Sequence, residues 1–515
     1  MKLKSKFLGL ETGGKPIVII NKEDAAEIGI RSLGRVDLQF GKKELTAIVN
    51  ISTKFISKNF IGISEEVVSK LGLKENDNVE VEIAPFPLSL SSIINKLRGR
   101  KLTYEEILQI VKDVVDGKLS EIEIAAFITA LNTYSLDLDE AASLANAMYE
   151  TGEKLKINKK PIFDKHSVGG VPGDKTTLLV VPIVAAAGLT IPKTSSRSIT
   201  SAAGSADRAE VLMKVDLDID EMRTVVEMTG GCVVWGGALR LAPADDIFIQ
   251  VEYPLGIDPM LLSSIMAKKK AVGANYLVVD IPTGRGTKIK TIGEANLLAK
   301  DFLVMGKKLG IETKCAITYG EQPLGYTIGP ALEAREALEV ITRKKNVYDL
   351  IDKAAHIAGM ILEMGGKKGG EKLALEILKS GKAEEKLREI VGHQQGDPEI
   401  KPGDIHIGDY GFDFHAEKSG IILWINNTSL VEVAKMAGAP KDKGAGIYLY
   451  KKLGEPVKKG EKLFTVYAEK NIKLTRAHRT IGEDDIIGVG KRMEMLIKKV
   501  EESKVPKKSY VIIDR

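Results

Sequence analysis

The chain has 515 residues, enough for several domains, and its 75 basic and 70 acidic side chains leave a net charge of only +5. No block of like charge interrupts this balance, so neither nucleic acid nor a membrane surface is expected as a partner. The two cysteines, Cys232 and Cys315, lack the spacing of a metal site, and neither a signal segment nor a run of about 18 apolar residues occurs. We therefore expect a cytoplasmic protein with reduced, buried cysteines.

The first 84 residues alternate short β-rich segments with turns. Strands are predicted at 16–20, 36–39, 45–50 and 79–83, and two brief helices at 22–28 and 64–71. This pattern predicts a small, β-barrel-like N-terminal domain that ends at a Pro-Phe-Pro linker. Because it contains no recognisable catalytic group, an assembly or lid role is favoured over a second active site.

Residues 89–154 are predicted to be helical, because apolar residues recur at helical spacing and three helix-start signals are present. Each signal places a Thr, Ser or Asp three positions before a Glu, which is the spacing of a capping box. The pairs are Thr103 with Glu106, Ser120 with Glu123, and Asp137 with Glu140. We expect a compact bundle in which each helix buries one apolar stripe.

Residues 161–211 contain two successive units of strand, polar loop and helix. The first loop runs from Lys165 to Asp174 and leads into an apolar run, 178–188, of the length of a buried helix. Such a helix directs unpaired backbone N–H groups at the loop, and glycines allow an anion to approach closely. Glycine-rich loops are often only turns, but the charge and hydroxyls of this one favour phosphate binding.

The second loop, 194–205, repeats this design. It places several Ser and Thr hydroxyls around Arg197, and Gly204 precedes a further helix. Loops that follow adjacent parallel strands face one crevice at the carboxyl edge of the sheet, where open α/β folds bind ligands. The pair predicts a cleft that holds two anionic groups. His166 is assigned a packing or hydrogen-bonding role and not that of a general acid.

Strand-like and helix-like segments continue to alternate, which predicts a largely parallel sheet. The expected elements are a strand at 275–281, a glycine-rich turn at 282–288, a helix at 294–309, a strand at 314–318 and a helix at 331–341. From about Pro402 the pattern becomes β-rich, and the segments 416–422 and 454–463 are similar to the hairpins of biotinyl or lipoyl carrier folds. We expect a structural, oligomer-forming role for this region.

Asp258 opens a further helical segment and is followed by proline. This is the pattern of a helix N-cap with Pro at the first helical position. Ser264 and Lys268 are four residues apart, so both would face one side of that helix. From the residues alone, a capping role and a chemical role for Asp258 are equally open.

Both loops carry a family resemblance. The run KHSVGGVPGDKTT, 165–177, resembles the phosphate loop of the thymidine and pyrimidine-nucleoside phosphorylases, and SSRSITSAAGSAD, 195–207, stands where their second phosphate loop lies. The second loop lacks the His-Thr-Gly-Gly-Thr run of the thymidine enzymes. Together with Pro172 and the added N-terminal domain, this departure resembles the archaeal AMP phosphorylases of the same family.

The resemblance implies a nucleoside phosphorylase type II-like α/β fold in four parts. They are a β-rich N-terminal domain, 1–84; a helical lobe, 88–160 plus 245–272; a largely parallel α/β phosphate-binding lobe, 161–244 plus 273–400; and a C-terminal α+β, hammerhead-like domain, 402–515. In that family the helical lobe closes over the α/β lobe.

The resemblance also implies phosphorolysis of nucleoside 5′-monophosphates, with AMP foremost and CMP and UMP as further substrates, to the free base and ribose 1,5-bisphosphate. Asp258 is implied as the proton donor to the leaving base, and Lys268 as part of the base pocket. The implied AMP-binding residues are Gly170, Ser196, Arg197, Ser198, Ile199, Thr200, Ser201, Ser205, Ser264 and Lys288. The implied phosphate-binding residues are Lys165, Ser167, Thr177 and Ser195. Inorganic phosphate is the co-substrate, no metal or other cofactor is expected, and the protein is expected to be a homodimer or larger homo-oligomer.

Three alternatives stay open. The first is a thymidine or pyrimidine-nucleoside phosphorylase, although no equivalent of the Arg that those enzymes place on the base occurs near 250–253. The second is a Mg²⁺-dependent phosphoribosyltransferase with Asp245 and Asp246 at its metal site. The third is a nucleotide-binding regulator without catalysis.

Overall fold

The computed structural model describes residues 1–198, 201–481 and 486–491, and its first 84 residues form a closed six-stranded barrel. The strands are β1 Lys2–Phe7, β2 Ile17–Asn21, β3 Arg35–Phe40, β4 Lys43–Ser52, β5 Phe60–Ile63 and β6 Asn78–Ile83, and the helices are α1 Lys22–Ile28 and α2 Glu65–Leu71. The order is β1-β5-β2-β4-β3-β6, closed by pairing of β6 with β1. Sequence analysis missed β1 and β5, because β1 is rich in lysine and β5 has only four residues. Both complete the barrel by pairing with strands distant in sequence.

Four helices follow, and the last three of them start at the predicted capping boxes. They are α3 Ser89–Leu97, α4 Tyr104–Val115, α5 Glu121–Tyr134 and α6 Leu138–Glu150. In each box the cap side chain accepts a hydrogen bond from the backbone of the Glu, and the Glu side chain accepts one from the cap backbone. Arg35 of β3 connects the barrel to this bundle, since its Nε donates to the Lys118 carbonyl at 2.6 Å and its guanidinium pairs with Glu123.

The α/β region is built on parallel strands, as predicted. Its elements in chain order are β7 Phe163–Ser167, α7 Thr176–Ala186, β8 Ile191–Ser195, α8 Ser205–Ala209, α9 Ile219–Thr229, β9 Gly231–Trp235, α10 Pro243–Leu255, α11 Leu261–Ala271, β10 Tyr276–Thr283, α12 Ile292–Leu309, β11 Glu312–Tyr319, β12 Thr327–Ile328, α13 Pro330–Ile341, α14 Tyr348–Met364, α15 Gly370–Ser380 and α16 Lys382–His393. Strands β11-β10-β7 and β8-β9 form two parallel ladders, which a parallel bridge between Ile162 and Thr190 joins. The apolar helix α7 is buried between this sheet and helices α14 and α16.

Helices α10 and α11 pack on the bundle. Phe248 of α10 lies 6.0 Å from Phe127 between ring centroids, and Ser263 of α11 donates to the Ala141 carbonyl at 2.9 Å. Of the two roles left open for Asp258, the capping role is excluded, because α11 begins at Leu261 with Met260 in the cap position. The chain turns at the end of α10, and the Asp258 side chain is free to reach another loop.

The C-terminal region contains β13 Tyr410–His415, β14 Gly420–Ile425, α17 Asn427–Met436, β15 Gly446–Leu449, β16 Pro456–Val457, β17 Lys462–Ala468, α18 Asn471–Ile481 and β18 Ile487–Gly490. These strands form the sheets β12-β15-β17-β13 and β16-β14-β18. Strand β12 belongs to the α/β region by sequence but pairs with β15, so the two regions share a sheet. In the described part of the chain, no helix combines the length and apolar character needed to cross a bilayer.

Candidate active site

Three loops begin at one edge of the sheet. They follow the carboxyl ends of β7, β8 and β10, and because these strands are parallel, their loops emerge on the same side. In the register of β7 and β10, Ser167 lies opposite Asp280. The first two loops are those predicted to bind phosphate, and the third is the glycine-rich turn that ends in Lys288.

Lys165 lies at the floor of this edge with an unpaired charge. Its side chain is 2% exposed, and its ammonium forms no hydrogen bond or ion pair with the residues that the structure describes. Burial lowers the pKa of Lys165, while the carboxylates of Asp174 and Asp280 oppose that shift. A buried cation without a direct partner is costly. The site is therefore suited to receive an anion.

Ser167, two residues after Lys165, belongs to a network of charged side chains. Its Oγ donates to Asp280 Oδ2 at 2.8 Å, and the ammonium of Lys353 on α14 lies 2.8 Å from the same oxygen and 3.2 Å from Asp174 Oδ2. Burial tends to lower the pKa of Lys353, but Asp174 and Asp280 outweigh this effect and raise it. The network orients the Ser167 hydroxyl and the floor of the first loop.

Sequence analysis did not find Lys353. It lies 179 residues beyond Asp174 along the chain, on a helix with no motif of its own. Asp280 did carry a signal, because a carboxylate near the carboxyl end of an apolar strand has to face a partner or a ligand. Thr318 on the neighbouring β11 donates to its second oxygen at 2.5 Å.

Two further hydroxyls predicted to bind phosphate lie at the edge of the sheet. Ser195 ends β8, and its buried Oγ has no hydrogen-bond partner in the described structure. Thr177 is buried in the first turn of α7, which begins directly after the first loop. Lys175, in contrast, points away, since its ammonium pairs with Glu336 at 2.8 Å. The orphaned Ser195 hydroxyl is therefore a second group at this edge that is suited to bind an oxygen-bearing ligand.

The second loop is held in shape by Asp207. Its Oδ2 accepts hydrogen bonds from the backbone N–H groups of Ser198 at 2.7 Å and Gly204 at 2.8 Å. A Cβ on Gly204 would lie 2.5 Å from the Ser196 carbonyl oxygen, so the two ends of the loop meet at a distance that only glycine allows. Ser196 is exposed, and Ser201 and Ser205 are half-buried. Ile199 and Thr200 lie outside the described residues.

Arg197 contacts carboxylates. Its guanidinium forms two hydrogen bonds to Glu210, at 2.6 and 2.9 Å, and two to Asp216, at 3.0 and 3.2 Å. It also lies 3.5 Å from Asp207 Oδ1 and stacks over the Trp235 ring at 4.9 Å. Hydrogen bonding to Arg197 is the largest cause that lowers the pKa of Glu210 to about 2. The predicted pairing of Arg197 with a phosphate would have to replace at least one of these carboxylates.

The third loop brings Asp258 and Lys288 together. The Lys288 ammonium donates to Asp258 Oδ2 at 3.0 Å, and both side chains are partly exposed at the cleft. Gly170 of the first loop packs against this turn, because a Cβ there would lie 2.6 Å from the Lys288 backbone nitrogen and 2.8 Å from the Thr287 Cα. The predicted proton donor and one predicted nucleotide contact are therefore adjacent to the first phosphate loop.

Replacing Gly170 by Ala is expected to lower kcat/KM of the reaction at this candidate site by about 10²-fold. The reason is that the added Cβ must push the Lys288 backbone away from the first loop. Gly169 is a matched control. Its φ of +89° is close to the +94° of Gly170, but a Cβ added there would meet no atom within 4 Å beyond its chain neighbours, so Gly169→Ala carries the backbone strain without the collision. Steady-state kinetics of the two variants test this prediction, and an equal loss of kcat/KM in both would contradict it.

On the opposite wall, Lys268 of α11 pairs with a buried acid. Its ammonium lies 2.5 Å from Asp245 Oδ2, and although burial opposes the charge, Asp245 and then Asp246 and Glu252 raise the pKa of Lys268. Ser264 is half-buried one helical turn before it. Burial lowers the pKa of His166 well below its usual value, so its imidazole is uncharged and poorly suited to donate a proton.

Known proteins match the chain along nearly all of its length. The helical bundle domain of a glycosyl transferase family matches residues 91–152, its α/β domain matches 159–384, and the pyrimidine nucleoside phosphorylase C-terminal domain matches 421–484. The AMP phosphorylase of Thermofilum pendens is 48% identical over 97% of this chain and 98% of its own length. The chain belongs to the AMP phosphorylase family. The AMP phosphorylases of Thermococcus kodakarensis and Pyrococcus furiosus, at 51% and 50% identity, each cover 93% of this chain and 95% of their own lengths.

Membership of the AMP phosphorylase family confirms the resemblance predicted from the two loops. A solved structure of anthranilate phosphoribosyltransferase from Thermus thermophilus also aligns, with a TM-score of 0.51 and 21% identity, over 59% of this chain and 99% of that chain. This similarity shows a shared fold of the helical bundle and the α/β region. The fold is therefore a mixed α/β fold with a pyrimidine nucleoside phosphorylase C-terminal domain.

Proposed function

We propose that this protein catalyses the phosphorolysis of nucleoside 5′-monophosphates, AMP foremost, to the free base and ribose 1,5-bisphosphate. The observation that carries the proposal is the buried, unpaired ammonium of Lys165 at the same sheet edge as the orphaned hydroxyl of Ser195, among the residues that the structure describes. An attacking phosphate supplies the negative charge and the acceptor oxygens that these two groups lack. The AMP phosphorylase relatives support AMP as the nucleotide.

Inorganic phosphate is bound by Lys165, Ser167, Thr177 and Ser195 in this scheme. Held in line with C1′ of the ribose, it turns a bimolecular attack into a unimolecular one. The developing positive charge of the sugar is stabilised by the phosphate itself. The buried pairing of Lys353 with Asp174 and Asp280 supports the scheme, because it fixes the groups that orient Ser167.

The 5′-phosphate of the nucleotide occupies the second loop, near Ser196 to Ser201. Gly170 and Ser205 are further AMP-binding residues in this scheme. Arg197 is suited to bidentate pairing with a phosphate. In our scheme the nucleotide phosphate takes the place of Asp216, which is the most exposed of the three carboxylates that pair with Arg197, at 51% against 29% for Glu210 and 5% for Asp207. Glu210 then continues to orient the guanidinium.

Asp258 donates a proton to the leaving base as the glycosidic bond lengthens. The contact of Asp258 with Lys288 supports this role, because the lysine holds the carboxyl group at the mouth of the first loop. Ser264 contacts the base, and Lys268 lines its pocket. Lys288 contacts the nucleotide as well as Asp258.

The reaction needs no metal ion or other cofactor in this scheme. Asp245, which a Mg²⁺-dependent transferase would use, is already paired with Lys268. The described residues contain no group of three or more His, Cys, Asp or Glu side chains arranged to hold a metal. The pairing of Asp245 with Lys268 favours phosphorolysis over the phosphoribosyltransferase alternative.

We further infer that the protein is a cytoplasmic homodimer or larger homo-oligomer, with the domain boundaries predicted above. Exposed apolar side chains on the helical bundle, namely Leu88, Leu97 and Tyr134, support self-association. The N-terminal barrel is an assembly or lid module, and the C-terminal domain is α+β and hammerhead-like.

Phosphate-dependent base release from AMP, adenosine and thymidine tests the proposed function. We expect release from AMP only, with ribose 1,5-bisphosphate as the second product and the rate unchanged in EDTA. Adenosine lacks the 5′-phosphate that the second loop binds in this scheme, so it forgoes those contacts and is expected to be a poor substrate. A preference for thymidine would favour a pyrimidine-nucleoside phosphorylase, and loss of activity in EDTA would favour the Mg²⁺-dependent alternative.

A further inference from the structure

Glu252, on α10, is a buried acid without an assigned role. Its side chain is 7% exposed, and its Oε1 forms no hydrogen bond with any described residue. A buried polar atom without a partner is destabilising and rare in folded proteins. A ligand that supplies the missing hydrogen bond would account for it.

The surroundings of Glu252 are those of the proposed base pocket. After α10 the chain turns back, so that the backbone N–H of Ile257 donates to the Glu252 carbonyl at 3.2 Å and Asp258 follows directly. Asp258 pairs with Lys288, and Lys268 pairs with Asp245, which lies two helical turns before Glu252 on the same face of α10. The buried carboxyl group is therefore surrounded by the residues proposed to hold the base.

We infer that Glu252 is a further base-binding residue, which hydrogen-bonds the edge of the nucleobase where an amino group stands beside an acceptor nitrogen. This inference rests on the proposed phosphorolysis of AMP. It adds a residue that no resemblance implied, and it assigns the recognition of an amino-bearing base to the acid on α10.

The protonation state of Glu252 suits this contact. Burial first, and then the negative charges of Asp258 and Asp245, raise its pKa to about 8, while Lys288 and Lys268 act in the opposite direction. Near neutral pH the group is thus mostly an uncharged carboxylic acid, with one O–H donor and one C=O acceptor. A glutamine side chain has the same pair of functions, and glutamine is a frequent bidentate partner of adenine, which offers N7 as acceptor and its 6-amino group as donor.

A carboxylate cannot make this pair of contacts, because it has no proton to donate. The contact should therefore exist below the pKa of Glu252 and disappear as pH rises through about 8. The charged groups that act on this titration are Asp245, Asp258, Lys268 and Lys288. Glu252→Gln retains both hydrogen-bonding functions and does not titrate. Any change with pH that remains in this variant therefore comes from the substrates or from other groups and not from the Glu252 proton.

The test compares wild type, Glu252→Gln, Glu252→Ala and the control Gln250→Ala, an exposed residue of the same helix. Each is assayed with AMP and with purine riboside 5′-monophosphate, which lacks the 6-amino group, from pH 6 to pH 9. We expect Glu252→Ala to raise KM for AMP by about tenfold and to affect the amino-free substrate less. We expect wild-type kcat/KM for AMP to fall above about pH 8, and this fall to be absent from Glu252→Gln.

The inference is overturned if Glu252→Ala raises KM equally for both substrates. It is also overturned if kcat/KM for AMP falls in the same way at alkaline pH in wild type and in Glu252→Gln. Thermal unfolding of each variant shows whether a loss of activity comes from misfolding. If Glu252→Ala is misfolded, the comparison of the pH profiles of wild type and Glu252→Gln decides. Failure of the proposed function has a different signature. Wild type itself would then release no adenine from AMP at any pH, and both proposals would be rejected together.

Discussion

Asp258→Asn is expected to lower kcat for phosphorolysis of AMP by about 10²–10⁴-fold, the usual contribution of a general acid. KM for AMP should change little, because asparagine keeps the shape of the side chain and can still contact Lys288. In the proposed scheme, the residual rate comes from inorganic phosphate that Lys165, Ser167 and Ser195 hold in line with the sugar.

The leaving group decides whether Asp258 acts as the acid. A ribose 5-phosphate substrate with p-nitrophenolate in place of the base needs no proton to depart, so Asp258→Asn should cleave it at close to the wild-type rate. An equal loss on both substrates would instead show that the carboxyl group positions Lys288 or the nucleotide. Asp116→Asn is a suitable control, because Asp116 is an exposed aspartate whose ion pair is with Lys118, also on the helical bundle.

Lys353→Met is expected to lower the free energy of unfolding by about 3–5 kcal/mol, because it leaves two buried carboxylates without their cation. Lys353 is 7% exposed and contacts both Asp174 and Asp280. The lysine contributes to holding the pKa of Asp174 well below its usual value of 3.8. The stabilisation by Asp174 is therefore present above that value and is lost as pH falls below it.

Urea unfolding at neutral pH measures the loss, with the transition of the α/β region followed by itself because a chain of several domains need not unfold in one step. Adding Asp280→Asn to Lys353→Met should recover part of the stability, since it removes one of the uncompensated charges. Lys372→Met is the control, because Lys372 is 86% exposed and its ion pair with Glu376 is weak. A loss below about 1 kcal/mol for Lys353→Met would mean that water reaches the cluster.

Features that depend on neighbouring residues were predicted from the sequence. The three capping boxes of the bundle each involve residues three apart, and they occur as predicted. The apolar run after the first loop became the buried helix α7, and the alternation of strands and helices became a parallel sheet. Local hydrogen bonds and hydrophobic periodicity specify such elements, so a single sequence is enough to read them.

The composition of the site depended on contacts between distant segments. Lys353 reaches Asp174 across 179 residues, and nothing in its own helix indicates this. Arg197 was recognised as a cation in a polar loop, but its carboxylate partners Glu210 and Asp216 come from the segment after the next helix. The same holds for Glu252, whose burial could not be inferred from a helix with acids on more than one face.

The sequence by itself determined three helix starts of the bundle, the positions of the two hydroxyl-rich loops and the family to which the chain belongs. Only the tertiary structure decided which charges are neutralised and which are left without a partner among the described residues. The reason is physical: the stability of a buried charge depends on the groups that the fold brings within a few ångströms, and in this protein those groups come from several different elements.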